Sequence, residues 1–101
     1  MKSKIFEIIL TQVAETTELK KEEIVGKVRK AELIEARMLV VHFCKEYGIS
    51  NSYLQEKMNR KSPFAIAHLL CSFDCVLKQS YTFRETHKEL KQQFANILPK
   101  T

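Results

Sequence analysis

The chain has no tryptophan, and only two glycines and two prolines among its 101 residues. So few breakers leave little room for the turns of a many-stranded β fold, and they suit helices joined by short connections. Cysteine is also scarce. Cys44, Cys71 and Cys75 are an odd number with no Cys-x-x-Cys pair, so neither a disulfide framework nor zinc-finger spacing is expected. Their neighbours are apolar, which suits reduced core thiols. A Gly-rich loop ending in Lys and Ser or Thr is missing, so no nucleotide is expected as a ligand. Long apolar runs are absent too. Lys2 and Lys4 precede IFEIIL, but Glu7 interrupts that run and no small-residue cleavage site follows. Neither a signal peptide nor a membrane span is expected, and the expected location is cytoplasmic with no membrane partner.

What is present is 45% apolar sequence, enough for one modest core in a single helical domain over residues 1–101. A formal net charge of +5 makes the surface attractive to phosphate.

Apolar positions set the elements. Ile5, Phe6, Ile9, Leu10 and Val13 form a stripe at helical spacing, which predicts a first helix over 4–15. LKKEEIVG at 19–26 reads as a short helix with acids in its first turn and Gly26 at its exit; Thr17 is the best cap on offer. KVRK at 27–30 is a basic connection. A long central helix follows from Ala31, with Leu33, Ala36, Val40, Cys44 and Tyr47 on one face and Gly48 just past its end. Ser50 can cap a short helix through Met58, and Asn59 suits a left-handed turn position. Ser62 then caps a helix that opens with Pro63 and runs to about Gln79. A last amphipathic helix, about Thr82 to Ile97, turns Phe83, Leu90, Phe94 and Leu98 inward before Pro99 ends it. The expected fold is all-α: a bundle of about six helices, whose tightly joined fourth and fifth helices have helix-turn-helix spacing.

With these elements in order, EEIVGKVRKAELIEARMLVVHF resembles the C-terminal DNA-binding domain of the bacterial chromosomal replication initiator DnaA. That family shows an acidic short helix, a basic loop, then Ala-Arg opening an apolar run; Ala36-Arg37 fills the pattern. The resemblance implies a helical bundle with an embedded helix-turn-helix and double-stranded DNA as partner. It implies that Arg29 enters the minor groove, that Arg37 grips a phosphate, and that Lys45 matches a basic phosphate-side position. Lys61 stands where the family's signature arginine begins. After that arginine the family reads aspartate, histidine, serine or threonine, threonine, valine, any residue, histidine, whereas this chain reads Ser62, Pro63, Phe64, Ala65, Ile66, Ala67, His68. Met38 likewise replaces a polar residue, and the YGIS turn is one residue shorter. The hydrogen-bonding groups that read bases are gone, so the expected binding rests on phosphates, with weak or altered sequence preference.

Arg29, Lys30, Arg37, Lys57, Arg60 and Lys61 are expected to converge on a phosphate-binding ridge, although Glu32, Glu35 and Glu56 lie near them in sequence and would weaken its field. Ser62, Phe64 and Ala65 would stand at the groove, where Phe64 or Ala65 could meet a thymine methyl. The alternative is a degenerate helix-turn-helix that uses an exposed Phe64 and Ala65 for a protein contact or self-association. A rotated turn would instead bury Phe64, as the apolar residues all round that helix suggest.

Catalysis is not expected. Cys44 with His42, and Cys75 with His68, are nucleophile and base types, but their pairing requires a geometry that helix adjacency does not supply. His68, Cys71 and Cys75 share one helical face, yet one helix cannot close a tetrahedral site and no fourth ligand is evident, so no metal or cofactor is expected. His42 and His87 read as ordinary surface or boundary residues.

Overall fold

The computed structural model describes residues 2–60 and 62–98. Lys61 and Pro99, both assigned roles from sequence, lie outside the described residues. The described residues form an all-α bundle of six helices: α1 (Lys2–Thr17), α2 (Lys21–Ile24), α3 (Ala31–Glu46), α4 (Asn51–Lys57), α5 (Pro63–Gln79) and α6 (Tyr81–Ile97). None of the described helices is long and apolar enough to cross a membrane.

α3 is the axis of the bundle. It packs against α1, α2 and α5, while α6 closes the far side by packing on α1 and α5. Its burial is wider than the single stripe expected from sequence. Met38, Leu39, Val41 and Phe43 are buried along with Leu33, Ala36, Val40 and Cys44, as befits a helix surrounded by others. Phe6, Ile9, Leu10 and Val13 of α1, Ile66, Leu69 and Phe73 of α5, and Phe83, Leu90 and Phe94 of α6 complete one hydrophobic cluster.

Three connections use the same device. After α1, α3 and α4 the chain turns through a left-handed residue, Glu18 (φ 59°), Gly48 (φ 82°) and Asn59 (φ 57°). The following amide then reaches back five residues: Leu19 N–H to the Ala14 carbonyl, Ile49 to Cys44, and Arg60 to Gln55. This is the Schellman closure, which satisfies carbonyls that a helix end would leave open. At the first two turns the residue so placed is apolar and joins the core. At the third it is Arg60, so the closure of α4 aims a guanidinium back toward the α2–α3 connection.

Helix starts follow the expected caps in part. The hydroxyls of Ser50, Ser62 and Ser80 accept from the amides of Tyr53, Phe64 and Phe83. Thr17 does not cap α2. It belongs to α1, where its hydroxyl donates to the Val13 carbonyl, and Lys20 precedes α2 with no side-chain cap.

Two further expectations are corrected. Cys44 is buried, but Cys71 and Cys75 are exposed, because they lie on the outer face of α5. Burial pushes the Cys44 thiol up to about 12, which keeps it protonated and inert. A thiol-reactive chromophore should therefore modify two thiols rapidly in the native chain and the third only on unfolding; rapid reaction of all three would contradict this packing.

His42 and His87 are half-buried, as the expected boundary position has it, but they are not ordinary residues there. Their Nε2 atoms meet at 3.3 Å, and the His42 ring stacks on Phe73 with centroids 4.0 Å apart. His42 Nε2 lies 3.4 Å from Glu46 Oε1. Such an imidazole pair needs one donor and one acceptor, so protonating both rings breaks it. His87 is held below its ordinary value of 6.5, chiefly by burial and next by His42; Glu46 opposes this and Lys91 adds to it. Below that ordinary value the unfolded chain binds more protons than the folded one, so this residue's contribution to stability is lost as pH falls. Denaturant midpoints taken from neutral to mildly acidic pH should fall more steeply for the native sequence than for His87→Gln. Parallel profiles would remove the pair from the account.

Candidate nucleic-acid interface

The site begins at the end of α2. A helix of four residues satisfies few of its last carbonyls internally; the Gly26 amide reaches Glu23, and the oxygens of Glu23, Ile24, Val25 and Gly26 are all met by side chains of α3 and the α4–α5 turn. Side chains from those elements donate to all four. Arg37 gives Nε to the Ile24 carbonyl (2.7 Å) and Nη2 to those of Glu23 (3.1 Å) and Gly26 (3.0 Å). Asn59 Nδ2 donates to Val25 (3.0 Å), and Arg60 Nη2 donates to Gly26 (2.8 Å).

This geometry corrects the role expected for Arg37. The residue is 4% exposed, and its Nε and Nη2 donors are spent on backbone carbonyls. Arg37 is the clasp that fixes the basic loop. Burying a guanidinium without a carboxylate is tolerable here because carbonyl dipoles surround it, and its planar fork reaches several of them at once.

The clasp leaves a cleft of about 190 Å³ beside it. Lys27 and Arg29 of the loop, Ile34 and Arg37 of α3, Arg60 of the turn, and Ala65, His68 and Leu69 of α5 form its walls. Among the described residues, no carboxylate lines it. Glu32 and Glu35, expected to dilute the field, instead line a different cleft with Thr16, Thr82 and Thr86. The guanidiniums feel each other. Arg37 and Arg60 are both held below the ordinary arginine value, first by burial, then by repulsion: Arg60 and Arg29 act on Arg37, and Arg29 acts on Arg60. A cluster of cations whose neighbours disfavour their charge gains from an anion in the cleft.

The structure thus gathers Arg29, Arg37, Arg60 and Ala65 around one cleft and adds Lys27 and His68, which composition alone did not single out for this site. The remaining candidates stand apart. Lys30 is exposed at the N-cap of α3, and Lys57 extends over the Tyr53 ring, 5.5 Å from its centroid. Lys45 is exposed in the last turn of α3, eight residues beyond Arg37 and so roughly 12 Å along the helix. Ser62 caps α5 by accepting from the Phe64 amide at 3.2 Å. The rotation that would bury Phe64 does not occur: its ring is 80% exposed, on the turn of α5 nearest the cleft. Ala65 is half-buried. Among the described residues, no group of three or more His, Cys, Asp or Glu is arranged to hold a metal ion.

No protein-family model, curated protein or solved structure matches this chain.

Proposed function

We propose that this chain is a DNA-binding module of the replication-initiator C-terminal-domain type, which holds a duplex mainly through its phosphates and has weak or altered sequence preference. The supporting observation is the cleft of Lys27, Arg29, Arg37 and Arg60, lined by no carboxylate among the described residues and set beside the first turn of α5. Arg29, exposed like Lys27, enters or borders the minor groove; Arg60 lies against the backbone, and Arg37 holds the loop in place for both. The start of α5, with Phe64, Ala65 and Ile66 in sequence, offers a major groove few hydrogen bonds, so base identity contributes little.

The exposed Phe64 also favours a second reading, in which the same helix start meets a protein partner or a second copy. The duplex is preferred because the concave surface next to Phe64 is cationic, whereas a protein anchor residue needs an apolar pocket to fill.

Fluorescence anisotropy with a labelled random-sequence duplex across a salt series tests the proposal. The expected result is binding that weakens steeply with salt, with no large advantage for the initiator family's usual box. Absence of binding at low salt would overturn it and shift weight to the protein contact, which Phe64→Asp would then abolish.

A further inference from the structure

Phe64 needs a purpose that duplex phosphates do not supply. The other five phenylalanines are at most 4% exposed, whereas Phe64 is 80% exposed. Its backbone is fixed by the Ser62 cap. One turn further along the same stripe of α5 stands His68, which lines the cationic cleft, and the residue after Phe64, Ala65, lines it as well. The ring therefore stands at the rim of the cleft, pointing into solvent, with the cations of the cleft close by.

We propose that Phe64 is a stacking platform for an unpaired nucleobase whose backbone phosphate lies in the cleft of Lys27, Arg29 and Arg60, so that the chain binds single-stranded nucleic acid. This rests on the proposal that the cleft takes a nucleic-acid backbone, and it adds an unpaired strand to the duplex as a ligand of the same cleft. A single strand combines the two chemistries found side by side here: an anionic backbone for the cations and free aromatic faces for the ring. In a duplex those faces are already stacked on one another, and prying a step open costs a few kcal/mol before any contact is gained. An acidic peptide with one aromatic residue would satisfy the cations, but it would find only one protruding ring where its own ring needs a concave apolar seat. Every base presents a π face, so the contact is indifferent to sequence, in keeping with a helix start that has lost its readers.

The test compares three labelled probes of about a dozen units at low salt: a thymidine oligonucleotide, an abasic oligomer with the same phosphates, and a random duplex. The native chain should bind the thymidine oligomer about tenfold more tightly than the abasic one. Phe64→Ala should erase that difference while leaving abasic affinity and the thermal midpoint unchanged, since the ring is 80% exposed. The chain contains no tryptophan, so Phe64→Trp installs a single reporter. Its fluorescence should be quenched by the thymidine oligomer and not by the abasic one, with the base-dependent gain retained. Equal affinity of the native chain for both oligomers, or a bound thymidine oligomer that leaves the Phe64→Trp fluorescence unchanged, overturns the stacking proposal alone. Failure to bind any of the three overturns it together with the reading of the cleft. Phe64-dependent binding of an acidic aromatic peptide, without any preference for bases, overturns it in favour of a protein contact.

Discussion

Replacing Arg37 with alanine is expected to lower the stability of the fold by about 3–5 kcal/mol, an effect large enough to move the thermal midpoint by roughly 12 °C or more. The magnitude follows from the three bonds lost and the acceptor left behind. Glu23 keeps its bond from the Gly26 amide and Gly26 keeps its bond from Arg60, but the Ile24 carbonyl loses the donor that satisfies it, at the mouth of a core that includes the fully buried Ile24 side chain. Each charge-assisted bond contributes about 1.5–3 kcal/mol, and each orphaned buried acceptor carries a desolvation cost of about 1–3 kcal/mol. Relief of the repulsion from Arg60 and Arg29 offsets only part of this, because Arg29 is exposed and screened by solvent and salt. Arg37→Lys should recover less than half of the loss, since one ammonium cannot place donors on three carbonyls in the plane a guanidinium covers. Thermal denaturation followed by circular dichroism measures both variants. A midpoint shift of only a few degrees for Arg37→Ala would show that the clasp is dispensable and would reopen Arg37 as a phosphate ligand.

Arg37 also shows where sequence stops being informative. The Ala-Arg pattern at 36–37 marks the residue as special, but its acceptors are backbone oxygens, which have no signature in a sequence. An arginine that holds a loop and an arginine that holds a phosphate look alike until the carbonyls are located. Local chemistry was legible. Ser50, Ser62, Gly48 and Asn59 sit where caps and left-handed turns require them, because each is decided within a few residues. Glu18 adopts the same left-handed turn with no glycine or asparagine to announce it; the apolar demand for Leu19 to enter the core outweighs a preference of about 1–2 kcal/mol. The thiols of α5 were misplaced for another reason. An apolar helix reads as buried all round, yet Cys71 and Cys75 face outward. The His42–His87 contact joins residues 45 apart in sequence, beyond the reach of any helical periodicity. At the cleft, the cations themselves were visible in KVRK and at Arg60, but the turning of Glu32 and Glu35 to another face was not, and that decides the sign of the local field.

Arg29 should behave in the opposite way to Arg37, and the contrast separates binding from folding. Arg29 is exposed, and its charge acts on both clustered arginines without holding the fold. Arg29→Ala should leave the thermal midpoint within about 1 °C of the native value, as expected for a surface substitution of a few tenths of a kcal/mol. Nucleic-acid affinity at low salt should nevertheless fall by about three- to tenfold. The slope of log affinity against log salt should become shallower by about 0.9, the counterion release of one phosphate contact. Removing Lys27 as well should take the slope down by nearly twice as much, because the two side chains line the same cleft and on the proposed reading would neutralise neighbouring phosphates. Arg29→Lys should restore most of the slope, since counterion release counts charge, and less of the affinity, since a point charge replaces a fork that grips two oxygens. A slope that does not change in the double variant would mean that any bound nucleic acid lies elsewhere on the surface, and the cleft would then be a consequence of the clasp with no ligand of its own.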